Sequence, residues 1–95
     1  MNGSTEIQYP EQVLIMVRKA LSRALDLSED VSLDSASIDS LAAWSSLKHI
    51  SVIEEVESVM GRNLNTDEIL AVTSFEAIAQ LLFKESKLNE SILDQ

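Results

Sequence analysis

Residues Ser37–Glu57 read SIDSLAAWSSLKHISVIEEVE, and two serines in this stretch each precede a leucine. Ser40 stands in Asp-Ser-Leu and Ser46 in Ser-Ser-Leu. From Ser46 onward Leu47, Ile50, Ile53, Val56 and Met60 recur at spacings of three and four. That pattern predicts a helix with one apolar stripe. Gly61 supplies its stop. The stretch before it, SEDVSLDSASIDSLAAW over residues 28–44, is rich in Ser and Asp with isolated apolar residues. It reads as a long ordered loop anchored by Val31, Leu33, Ile38, Leu41 and Trp44.

Working outward, PEQVLIMVRKALSRALDL over residues 10–27 opens on Pro10 and Glu11, both suited to a first helical turn. Val13, Val17, Ala20, Leu21, Ala24 and Leu25 then fall on a single face. Downstream, Asn65 and Glu68 stand at capping-box spacing and open one short helix. Thr73 and Glu76 repeat the spacing before a last helix, whose apolar face is Ala77, Ile78, Leu81 and Leu82. The tail from Ser86 reads as frayed. The fold expected is all-α: a small bundle of three main helices and one short helix, with a long first loop. It forms a single domain over 1–95, with a core at about 10–86 and flexible ends at 1–9 and 87–95.

Composition narrows the function. Ninety-five residues make one small domain, and 45% hydrophobic residues suffice for a core. Tyr9, Trp44, Phe75 and Phe83 are the only aromatics, so that core is aliphatic. A net charge of −9 argues against nucleic acid and anionic membrane surfaces, and for partners with basic patches. Without cysteine there is no disulfide, thiolate nucleophile or cysteine metal site. No signal peptide or membrane span is evident, so the cytoplasm is the expected location.

Three candidate chemistries compete with bland readings. Asp26, Asp30 and Asp34 alternate with Ser28 and Ser32 in an acidic loop. A calcium-binding EF-hand needs Gly at its sixth position and Glu at its twelfth. Val31 and Ser37 stand there, so the loop reads as solvated. Ser46 and His49 lie three apart on one helical face, as a nucleophile and base would. Nothing in a chain with two glycines and short helices supplies an oxyanion hole, so His49 reads as a surface residue. Glu54, Glu55 and Glu57 form either a wet helix face or part of a docking surface.

Taken together, the helix order and the serine opening the second long helix resemble an acyl carrier protein over roughly Glu11 to Lys84. In that family the hydroxyl of an Asp-Ser-Leu serine receives 4′-phosphopantetheine from coenzyme A. A stand-alone subset carries Trp-Asp-Ser-Leu-x-His. WSSLKH, Trp44 to His49, matches this pattern except at Ser45. The family also places a bulky apolar residue fourteen positions after the serine, then an apolar residue at the helix exit. From Ser46 these positions are Met60 and Leu64. From Ser40 they are Glu54 and Ser58, whose burial would leave a charge and a hydroxyl unsolvated. Ser40 is therefore the decoy and Ser46 the attachment point.

The resemblance implies a monomeric carrier, not an enzyme, that holds acyl groups as thioesters on a phosphopantetheine arm. Its partners would be a phosphopantetheinyl transferase and acyl-loading and acyl-processing enzymes of fatty-acid-like or specialised biosynthesis. Ser45, Leu47, Lys48, His49, Glu54 and Glu57 would meet them. Ser45 can still cap the helix, but it lacks the carboxylate that in the family helps engage the transferase and its magnesium. Lys48 and Ser51 also stand where the best-known fatty-acid carriers have acids, which points to a dedicated carrier. An unmodified helical adaptor that binds partners through its acidic face remains the alternative.

Overall fold

The computed structural model describes residues 9–28 and 33–93, with the backbone alone for 88–93. Asp30, Val31 and Ser32 lie outside the described residues. The elements are α1 (Glu11–Leu25), α2 (Ser46–Met60), α3 (Thr66–Ala71) and α4 (Phe75–Leu93), and no strand occurs among the described residues. This is the small all-helical bundle expected, three long helices and one short.

The α1 face matches its periodicity: Val13, Val17, Ala20, Leu21, Ala24 and Leu25 are all buried. Asp26 ends the helix in the left-handed region at φ 60, a conformation that Asp tolerates better than most residues. The core-facing stripe of α2 is different from the one expected. Val52 and Val56 are fully buried, while Leu47 and Ile50 are 76% and 55% exposed. Helix geometry gives the reason. At about 100° per residue, Leu47 points about 180° away from Val56, so the two cannot share a core. The true stripe is Val52 and Val56, flanked by Ile53 and Met60, which pack partly against the core. Each fully buried valine or leucine side chain here contributes about 1.5–3 kcal/mol relative to exposure.

The helix boundaries follow local chemistry. Gly61 stops α2 at φ 74, where a side chain would be strained. Asn65 accepts the Glu68 N–H at 2.8 Å, and Glu68 accepts the Asn65 N–H at 2.9 Å, so the capping box forms. The cap of α4 is Ser74, whose hydroxyl accepts the Ala77 N–H at 3.1 Å; it is not Thr73. Phe75, Ile78, Ala79 and Leu82 form its buried face, with Leu81 partly buried. The helix runs on to Leu93 through the stretch expected to fray.

The long first connection is ordered where it is described. Leu33, Ala36 and Trp44 are buried, and Ile38 and Leu41 pack against the core. Backbone bonds tie it to the start of α4: Ile38 N–H donates to Thr73 at 2.9 Å and Phe75 N–H to Ala36 at 2.9 Å. Arg18 grips Asp34 with two bonds at 3.2 and 3.3 Å. An acid of the supposed calcium loop thus serves as an ion-pair partner. Tyr9, expected in a flexible end, instead donates to Glu76 at 2.9 Å and sets its ring edge-on to Phe83.

Candidate functional site

Ser46 is the first residue of α2, exposed, and its hydroxyl makes no hydrogen bond among the described residues. The residue before it does the capping. Ser45 accepts the Lys48 N–H on its side-chain oxygen at 3.1 Å, as expected of a Ser in place of Asp. The N–H groups of Ser46 and Leu47 have no acceptor among the described residues. Two donors and the positive end of a helix dipole therefore lie beside a free hydroxyl.

Ser40 has a different environment. Its hydroxyl is paired with the Ser37 hydroxyl at 3.0 Å and accepts the Ser37 N–H at 3.0 Å. Its backbone N–H in turn donates to the Ser37 hydroxyl at 3.2 Å. The second serine of the opening stretch is part of a turn that closes on itself.

Trp44 is 1% exposed, and its indole N–H donates to Nδ1 of His49 at 3.0 Å. The rings are 6.0 Å apart and tilted by 32°. His49 is thus anchored and half-buried rather than a bare surface residue. The helix-start rules contain the signal for this contact. With Ser45 as cap, Trp44 and His49 occupy the two positions that a hydrophobic staple brings together.

The bond also sets the tautomer of His49. An indole nitrogen can only donate, so Nδ1 of His49 carries no proton, and the single proton of the neutral ring is on Nε2. A serine triad needs the reverse arrangement, with Nδ1–H held by an acid and Nε2 free to take the serine proton. In this tautomer Nε2 of His49 has no lone pair free to take the Ser46 proton.

The remaining site residues divide between two directions. Leu47, Ile50 and Glu54 are exposed and lie on one outward face of α2. Lys48 is 4.0 Å from Asp26 at the end of α1, and Glu55 is 4.0 Å from Arg23. Glu57 accepts the Leu64 N–H at 2.8 Å, so one of its oxygens already holds the α2–α3 connection. A cavity of about 250 Å³ is lined by Lys19, Ser22, Arg23 and Leu27, a setting unlike an apolar channel. No cluster of three or more metal-ligating side chains occurs among the described residues, and no described helix is long and apolar enough to cross a membrane.

Sequence reasoning missed one residue that organises the other end of α2. Arg62 donates to both oxygens of Glu68 at 3.0 and 2.9 Å and to both oxygens of Glu85 at 3.1 and 3.0 Å. It also reaches the Asn63 carbonyl at 2.9 Å. Its hydrogen bond to Glu68, helped by the Asn65 N–H, holds that carboxyl down at about 2. No family model matches the chain, and a search of curated proteins returns no match.

Proposed function

We propose that the chain is an acyl carrier protein whose 4′-phosphopantetheine arm is attached to Ser46. The observation that carries this reading is the free, exposed hydroxyl of Ser46 at the start of α2, beside the uncommitted N–H groups of Ser46 and Leu47. A phosphodiester is an anion, and such a helix start suits one. The residues present therefore fit the group. Once attached, the arm supplies a thiol that holds acyl groups as thioesters; the protein itself presents and orients.

Leu47, Ile50 and Glu54 form the face that partner enzymes would meet, apolar at its centre and acidic at its edge. Charge of −9 over the whole chain would draw enzymes with basic docking patches, the transferase included. Ser45, Lys48 and His49 border the attachment point, and Glu57 lies one turn beyond the face with an oxygen already engaged. The exposed Leu47 and Ile50 would equally suit an unmodified adaptor, so modification itself must be tested.

Incubation with coenzyme A and a broad-specificity phosphopantetheinyl transferase, read by intact mass and peptide mapping, provides that test. Mass gain on Ser46 is expected. Ser46→Ala should abolish it and Ser40→Ala should leave it intact. An arm mapped to Ser40, or no gain with several transferases, would refute the assignment, the latter in favour of the adaptor.

A further inference from the structure

We propose that His49 is a positioning residue, locked by Trp44 as an Nε2–H donor to the phosphate of the group carried on Ser46. The inference rests on the carrier reading of Ser46 and adds a role for the Trp44–His49 pair. Three observations lead to it. First, the buried indole N–H occupies Nδ1 at 3.0 Å, so the neutral ring must carry its proton on Nε2. The donor is set by a residue that cannot itself change protonation. Second, His49 lies one turn after Ser46, where side chains of a helix are neighbours. Helical side chains also lean toward the N-terminus, over the turn that holds Ser46. Third, among the described residues Nε2 of His49 has no hydrogen-bond partner: the first turn of α2 contains no acid, and the Lys48 ammonium, the nearest rival donor for an anion on Ser46, is drawn toward Asp26 at 4.0 Å.

An Nε2–H donor has little use beside a neutral serine hydroxyl but suits a phosphodiester. Together with the Ser46 and Leu47 N–H groups it would surround the anion with three donors. The pair would then limit the directions in which the arm leaves the protein, while Trp44 keeps the imidazole from rotating away.

Two measurements test this. In the unloaded protein, long-range proton–nitrogen correlation spectra of His49 should show the Nε2–H tautomer, and Trp44→Phe should lose that uniform pattern. After loading from coenzyme A, the 31P resonance of the phosphodiester is compared among variants. His49→Leu should displace it. His49→Gln should return it toward the wild-type position, because a glutamine amide can accept from the indole and still donate. Trp44→Phe/His49→Leu, which removes the donor together with its acceptor and so leaves no orphaned indole, should match His49→Leu. A 31P position unchanged in all variants, or one displaced equally by Leu and Gln, would overturn the proposal while leaving the carrier reading intact. Failure to load would overturn both, and intact mass distinguishes that case.

Discussion

At the scale of single residues, the two serines of the opening stretch differ in what their hydroxyls already do. Ser40 is bonded to Ser37 through hydroxyl and backbone, whereas Ser46 is exposed and unengaged. The registration that favours Ser46 was legible in the sequence through Met60 and Leu64. Leu64 is buried and Met60 packs against the core, while Glu54 and Ser58 are exposed. Trp44 is legible as an anchor, but its bond to His49 is not, because a histidine without the other parts of a catalytic site defaults to the surface. The burial of Trp44 makes a definite prediction. Trp44→Ala should destabilise by about 3–5 kcal/mol, the cost of emptying a large buried site. Denaturant unfolding measures it, and a change below about 1 kcal/mol would mean that the ring does not hold this end of the domain.

At the scale of elements, helix starts and stops were read more reliably than the face a helix turns inward. Pro10, Gly61, Asn65 and Glu68 act through local hydrogen bonds and backbone dihedrals, which neighbouring residues determine. The face of α2 depends on what the rest of the chain leaves for it to cover. Its apolar residues run round much of the helix, so periodicity admitted a stripe that geometry forbids. The surplus, Leu47 and Ile50, became the exposed face beside Ser46. The α4 cap moved by one residue because Ser74 and Thr73 are equivalent cap formers in adjacent positions. Ser45 offers a test at this scale. Aspartate there can accept the same Lys48 N–H, and its charge would gain about 0.3–1 kcal/mol from the helix dipole. Ser45→Asp should therefore leave the melting curve nearly unchanged. If Ser46 carries the arm, the added carboxylate beside the nucleophile should speed loading by a general transferase, through contact with that enzyme or its metal. Initial loading rates and melting curves on the same two proteins separate these effects. Equal or slower loading would show that the missing carboxylate does not limit the reaction.

At the scale of the whole molecule, long-range ties hold the short α3 to the bundle, and they were the least legible feature. α3 buries no residue of its own completely, so Leu64 and Val72 at its ends, the partly buried Ile69 and polar contacts at its start hold its place together. Arg62 supplies the polar contacts, spending its five N–H donors on Glu68, Glu85 and the Asn63 carbonyl, and so joining the α2–α3 connection to α3 and α4. No sequence period announces a residue whose partners lie 6 and 23 positions away. The arrangement makes stability depend on pH in a stated direction. Glu68 is held at about 2 in the folded protein against 4.5 for the free group, chiefly by the Arg62 hydrogen bonds. The unfolded chain therefore binds the proton more readily, and stability rises with pH through this window. The contribution is complete above about 4.5 and is lost as pH falls through about 2. The net charge also changes sign in this range, near the isoelectric point of about 4.3, and the resulting self-repulsion acts on every variant alike. A comparison between variants removes that shared term. Arg62→Gln should lower the denaturant midpoint at pH 7, modestly, as expected for an exposed ion-pair network. Its deficit relative to wild type should shrink as pH is lowered from 5 toward 2. Arg62→Lys should recover only part of it, because an ammonium cannot reproduce two bidentate forks. Denaturant midpoints of the three proteins across that range provide the measurement. A deficit for Arg62→Gln that stays constant with pH would show that Glu68 titrates independently of Arg62 and that α3 is held by other contacts.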